Sequence, residues 1–512
     1  MASSLTKGTA EQEKTSPASG GKTFLGHPLG LAPLFLTEMW ERFSYYGMRA
    51  LLVLYLIAGG PDAKPGSQGG GLAMPEASSF AIYGVYTGMV YLLAMPGGWF
   101  GDRIWGPRKT VTIAASIIMA GHLCLAMPGK PPFFIGLALV AIGSGLLKSN
   151  ISTMVGHLYD GPQDPRRNGG FTIFYIGVNL GAGLAPIVIG ALGQKVSWHL
   201  GFAIAAIGMG LGLVIFLLGT RFLSPESSVV PKPLPADERK SLLMKALLWF
   251  GIAAVFYGVV AGTGHFTQKW ATIPLALLGV AVPAATLFRI KRDKDLTSDE
   301  QTKVTGYIWF FIAAAVFWMI FEQAGSTLST FADKRTSDTI FGWQIPSTLF
   351  QSINPIWVMA IAPVIAWLWL WLARRGSEPS STVKFSMAMV LIGASFFIFA
   401  IPMSTASESS KAGPMWLVMI YMIQTIGELC LSPVGLSLTT KMAPVKYASQ
   451  MMGVWFLAVT AGNCTTTLLR EVGGLDLNGI NVILGQATAA VLAAVAVWMY
   501  RKKIEALMGD VR

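Results

Sequence analysis

The chain has 512 residues, 53% of them hydrophobic and 12% charged, with a formal charge of +12. That charged share is about half the soluble average, which excludes an ordinary water-soluble fold and makes the chain a polytopic membrane protein. The basic excess sits between apolar segments, where loop charge sets membrane orientation, and so does not point to nucleic acid.

Residues 1–28 read as a disordered cytoplasmic tail: a polar stretch carrying Lys7, Glu11, Glu13 and Lys14, with no apolar signal region or cleavage site. Apolar runs then predict fourteen transmembrane helices. Six fall at about 31–58, 77–100, 110–128, 132–158, 169–193 and 200–221. After a Pro-rich stretch, Leu223 to Lys240, come two at about 241–262 and 270–290. Past the charged segment Lys291 to Lys303 lie six more, at about 304–332, 345–373, 382–402, 414–440, 447–469 and 478–500. The predicted organisation is a six-helix bundle over 29–222, a linker with two extra helices over 223–302, a second six-helix bundle over 303–503, and a cytoplasmic tail over 504–512.

The first span holds the strongest signal. Glu38, Arg42, Tyr45 and Arg49 recur at i, i+4, i+7 and i+11, one face of a helix, with Glu41 beside them. A charge at bilayer depth costs several kcal/mol, so such groups face a cavity, pair with one another and mark a substrate or proton path. Two carboxylates beside one arginine suit proton work, and the guanidinium forks suit a carboxylate. The alternative, an ion-pair cluster that only locks the helix, would rarely repay its own desolvation.

Farther along, the loop Asp102-Arg103 to Arg108-Lys109 reads as a latch between helix ends, since its charges lie near the membrane interface. Lys148 sits within Gly143-Ser144-Gly145-Leu146-Leu147-Lys148, mid-way along the fourth span. A buried ammonium needs an anion, and single acids lie deep in two later spans, Glu322 and Glu428. The first half thus carries buried positive charge and the second half buried negative charge, which fits a substrate with a carboxylate at one end and an ammonium at the other. These acids could also serve as clamps between the halves, and a salt bridge that forms and breaks could be a gate. Tyr45, Tyr46, Tyr91, Trp318 and Trp455 cluster near these charges in sequence. Gly177 and Gly181, four apart, allow close helix packing. Asn354-Pro355, Pro363 and Pro433-Val434-Gly435 are expected to interrupt helices of the second half and to flex.

Loops rich in Lys and Arg alternate with nearly bare ones, placing the rich side and both termini in the cytoplasm. Cys124, Cys430 and Cys464 are far apart and read as small core residues, and the five histidines show no metal-ligand spacing. No P-loop or nucleophile motif is found, so the chain reads as no enzyme and energy must come from an ion gradient, with protons the natural choice for buried carboxylates. Two related six-helix halves are the parallel-repeat architecture of major facilitators, whose substrate site lies near the midplane.

These residues resemble the proton-dependent oligopeptide transporter family of the major facilitator superfamily, as found in prokaryotes. Glu38-x-x-Glu41-Arg42-Phe43 resembles its ExxERF signature, and Gly101-Asp102-Arg103 through Lys109 resembles the facilitator loop. Phe174-Tyr175 to Gly181 resembles FYxxIN, with Val178 where Ile is usual. Phe321-Glu322-Gln323, Gln351 to Pro355 and Glu428 to Gly435 resemble motifs of the second half.

The resemblance implies symport of di- and tripeptides with protons by alternating access, without a cofactor, by a monomer in a bacterial inner membrane, surrounded by lipid. It implies proton coupling through Glu38, Glu41, Arg42, Lys148 and Glu322, with Arg42, Arg49 and Lys148 facing the peptide carboxyl end. It places Glu428 and Asn179 toward the peptide amine, and Tyr45, Tyr46, Tyr91, Trp318, Glu322, Asn354, Ser432 and Trp455 around the substrate. Arg49 with Glu322, and Lys148 with Glu428, match gating pairs. The remaining readings are a same-fold carrier of nitrate, amino acids or peptide-like drugs, a channel, or a peptide sensor without transport.

Overall fold

The computed structural model describes residues 23–509 except 65, 67, 162, 163, 341 and 477. Residues 1–22 of the expected N-terminal tail and 510–512 of the C-terminal one lie outside the described residues. Helices occupy all fourteen expected segments. The first six are α1 (Leu31–Ile57), α2 (Glu76–Leu92), α3 (Pro107–Leu125), α4 (Lys130–Gly156), α5 (Arg167–Ala185) and α6 (Trp198–Gly219). Then come α7 (Ala236–Gly262) and α8 (Lys269–Lys291). The last six are α9 (Ser298–Phe321), α10 (Ile353–Arg374), α11 (Ser381–Thr405), α12 (Met415–Met442), α13 (Ala448–Glu471) and α14 (Ile480–Met499), and a short α15 (Arg501–Met508) follows. Twelve of the helical segments are long and apolar enough to cross a membrane. The other two are α1, whose apolar run is broken by four charges, and α3.

Local chemistry explains several ends. Gly106 takes a positive φ of 75° ahead of Pro107 at the first position of α3, where a missing N–H costs nothing. Thr297 and Glu300 form a reciprocal capping box at the start of α9. The expected prolines behave differently from one another. Pro355 falls in the first turn of α10, where its absent N–H has no helical partner to lose. Pro363 and Pro433 do not interrupt anything: α10 and α12 run through them unbroken, as neighbouring helices allow in membranes. The interruptions fall elsewhere. The helix begun by α9 passes into a 3-10 turn at Glu322–Gly325 and resumes at Thr327–Lys334. α5 continues through a π turn at Pro186–Gly190 to Lys195.

Buried side chains gather in two large clusters, one from Leu31 to Phe216 and one from Leu287 to Met508. In lipid, helices associate through small residues that let backbones approach. Gly177 and Gly181 do this, because a Cβ at either would run into Phe35 or the Met39 carbonyl of α1. A third, small cluster joins Val85 and Met89 of α2, Ala276 of α8 and Cys464 of α13. α8 therefore closes the seam between the two bundles, whereas α7 buries none of its side chains.

Candidate functional site

The charged face of α1 folds inward. Arg42 Nε lies 3.0 Å from Glu38 Oε1 and 2.5 Å from Glu41 Oε2, and all three side chains are almost fully buried. Ser144 of α4 donates to the other Glu41 oxygen at 3.0 Å. The cluster is thus two carboxylates on one guanidinium, with a net negative charge that one proton would neutralise. It also keeps unspent capacity: Glu38 Oε2 and Arg42 Nη2 are buried without a hydrogen-bond partner. Unmet polar atoms in a buried site mark a place for water, a proton or a ligand.

Two turns farther along α1, Arg49 Nη2 meets Glu322 Oε2 at 2.9 Å, joining the two bundles. Arg49 Nε donates to Tyr83 Oη of α2 at 2.8 Å, and Tyr83 donates to the Glu322 carbonyl at 2.9 Å. The Arg49 guanidinium also sits over the Tyr46 ring, 5.6 Å from its centroid.

Lys148 has a different environment. Its Nζ lies 3.7 Å from the Tyr91 ring centroid and 5.0 Å from that of Phe456, and no described carboxylate reaches it. Glu428 accepts instead from Asn354 Nδ2 at 3.1 Å, and Asn354 also donates to Thr425 at 3.0 Å. Of the two expected pairs, Arg49–Glu322 is closed and Lys148–Glu428 is parted. Lys148, Glu428, Tyr46, Tyr91, Trp318, Asn354 and Ser432 are all partly exposed. Trp318 Nε1 and Ser432 Oγ have no hydrogen-bond partner. Asn179 spends its Nδ2 on the Tyr175 carbonyl of its own helix at 3.0 Å. Tyr45 and Trp455 do not face open space. Tyr45 packs against Tyr46 and Tyr86, and Trp455 lies under Gly435, where a Cβ would collide with its ring.

The polar bonds between bundles concentrate at the end where α1 finishes. Gln194 donates to Asp333 at 3.3 Å and to Ser347 at 2.8 Å, and accepts from Thr348 Oγ1 at 2.9 Å. Lys64 pairs with Asp338 at 3.4 Å, Lys195 donates to the Gln344 carbonyl at 2.8 Å, and Glu76 binds both Lys334 and Asn478. A cavity of about 290 Å³ lies at this same end, beside Lys64, Gln194, Asp333 and Lys334, and does not reach the α1 cluster. At the opposite end the linker is tied to both bundles. Lys232 and Leu234 donate backbone N–H groups to Asp102 and Arg103, each at 2.9 Å, and Lys446 reaches Asp293 and Asp295, each at 2.7 Å. The loop expected as a latch between helix ends thus serves as a ledge for the linker. Among the described residues no cluster of His, Cys, Asp or Glu could hold a metal.

Sequence reasoning missed Tyr83, Ser144 and Gln194. Ser144 lay inside the quoted Gly-Ser-Gly segment. Tyr83 is one of several hydroxyl-bearing residues on its helix, with Ser78, Ser79, Tyr86, Thr87 and Tyr91, and nothing in the sequence singles it out. Gln194 had none.

Two helical bundles with opposed buried charges meeting between them define a secondary carrier of the major facilitator fold. Residues 108–472 match the model of the POT family. A "Di-/tripeptide transporter" of Lactococcus lactis is 37% identical over 503 residues, covering 96% of this chain and 98% of that one. An "Uncharacterized transporter" of Bacillus subtilis is 41% identical over 458 residues, 89% of each chain. A crystal structure of a peptide transporter in complex with alafosfalin superposes with a TM-score of 0.86 at 39% identity, over 96% of this chain and 97% of that chain. The chain belongs to the POT family.

Proposed function

We propose that this protein is a proton-coupled symporter that imports di- and tripeptides by alternating access. One observation carries the reading: a closed Arg49–Glu322 bridge coexists with Lys148 of the first bundle and Glu428 of the second, neither of which has an ionic partner among the described residues. A peptide zwitterion offers the missing partners, its carboxylate to Lys148 and Arg42, its ammonium to Glu428, with Asn179 and Asn354 near the amine end. Tyr46, Tyr91, Trp318 and Ser432 would line the space for its side chains, with Tyr45 and Trp455 behind them. The name of the Lactococcus relative supports this substrate class.

Glu38, Glu41 and Arg42 would take the proton, and Lys148 and Glu322 would relay it to the gates. In this reading the bundles are 29–222 and 303–503, joined by 223–302, and all fourteen helices cross the membrane. Loop charge argues for both termini in the cytoplasm of a bacterium, which makes the closed end the outer one. It would act as a monomer in the inner membrane, with lipid around it and the proton gradient in place of a cofactor.

The test is uptake into proteoliposomes with an inward proton gradient, offering labelled dialanine in one arm and nitrate in the other. Concentrative, saturable dialanine uptake that a protonophore abolishes supports the reading. Uptake of nitrate alone moves the protein to another cargo, and dialanine binding without flux makes it a sensor.

A further inference from the structure

Tyr83 is 2% exposed, and its hydroxyl is used twice. It accepts from Arg49 Nε at 2.8 Å and donates to the Glu322 carbonyl at 2.9 Å. Nε and Nη2 form one edge of a guanidinium fork, so Tyr83 and the Glu322 carboxylate occupy neighbouring prongs of the same edge. The carbonyl is available because the helix changes form there. In a regular α-helix the Ser326 N–H would return to Glu322, but across this 3-10 turn it donates to Gln323 at 3.1 Å. Gly325 completes the fit, since a Cβ there would run into the Tyr83 hydroxyl.

We propose that Tyr83 is a positioning residue of the outer gate, which makes the ion pair and the helix break close as one unit. Its hydroxyl fixes the angle of Arg49 and anchors the turn that carries Glu322, so the bundles cannot part there without breaking the Tyr83–Glu322 bond together with the ion pair. This rests on the alternating-access reading. It does not depend on the cargo, because the experiment below is run without substrate.

The experiment is pulsed electron resonance on spin labels at Val196 and Ser409, both exposed beyond the closed end, in a chain whose three cysteines are replaced by alanine. Tyr83→Phe keeps the ring and removes both bonds, which should raise the long-distance, outer-open population roughly fivefold to thirtyfold. Gly325→Ala keeps the hydroxyl but denies it the turn, and should shift the same way. Tyr83→Phe combined with Glu322→Gln should open the gate no further than the stronger single variant, the non-additivity of one shared unit. Wild-type distances in Tyr83→Phe, or shifts that simply add, would overturn the proposal. A purely packing role would lower the unfolding temperature and leave the distances alone. Absence of peptide uptake would count against the cargo and leave these distances standing.

Discussion

Replacing Glu322 by glutamine probes the gate with the least change of shape. In the closed form the Arg49 and Glu322 side chains are 9% and 7% exposed and meet at 2.9 Å. Removing one partner of a buried pair costs about 3–5 kcal/mol, because the other charge is left uncompensated. The Gln carbonyl can still accept from Arg49, which returns about 1.5 kcal/mol, the low end for bonds to charged groups. The net penalty is about 1.5–3.5 kcal/mol on the closed form. The open form pays almost none of it, since there both groups meet water. At 1.36 kcal/mol per factor of ten, the closed-to-open ratio should fall about 13- to 370-fold. Thr330, 4% exposed near the closed end, gives a direct readout when changed to cysteine. Its labelling from outside by a membrane-impermeant thiol reagent should accelerate in proportion, up to the point where the open form predominates. An unchanged labelling rate would refute the argument that this pair holds the outer end shut.

Three further outcomes follow from the same geometry. Glu38→Gln leaves Arg42 paired with Glu41 but removes one of the two carboxylates, so gradient-driven accumulation of dialanine should vanish while peptide counterflow persists; counterflow lost together with accumulation would mean that Glu38 shapes the binding site itself. Lys148→Ala should weaken dialanine binding about tenfold or more, and amidation of the peptide carboxylate should weaken wild-type binding but make little difference in the variant, a cycle that calorimetry resolves. Gly279→Leu places its side chain against Cys464 and should lower thermal stability in detergent by about 1–3 kcal/mol, whereas Leu247→Ala on α7, which buries no side chain, should stay within about 0.5 kcal/mol.

Much of this was legible in the sequence because membrane helices announce themselves by length and apolarity, and buried charges by their cost. The helix positions and the single face of Glu38, Arg42 and Arg49 follow from those rules, whereas the Arg49–Glu322 pair came only from the family resemblance, since the residues by themselves offered Glu322 to Lys148. The parted state of Lys148 and Glu428 does not, because which gate is closed depends on how two bundles tilt rather than on local composition. The prolines misled for a similar reason. Pro363 and Pro433 carry the textual mark of a break, yet the chain breaks at Glu322–Gly325, where no proline stands and the Tyr83 hydroxyl binds the Glu322 carbonyl. Trp455 and Tyr45 looked like pocket aromatics beside charges, but whether a ring faces a cleft or a core is set by the helix rotation that Gly435 and Tyr86 fix. The purpose of the extra helix pair was also invisible. Only the contacts of Ala276 with Val85, Met89 and Cys464 show α8 filling the seam.

Coupled passage of peptide and proton is read from the internal pH of proteoliposomes as unlabelled dialanine is added outside. The interior should acidify when the peptide arrives, to an extent that saturates with peptide concentration and disappears in Glu38→Gln. Dialanine entry with no change in internal pH would contradict it.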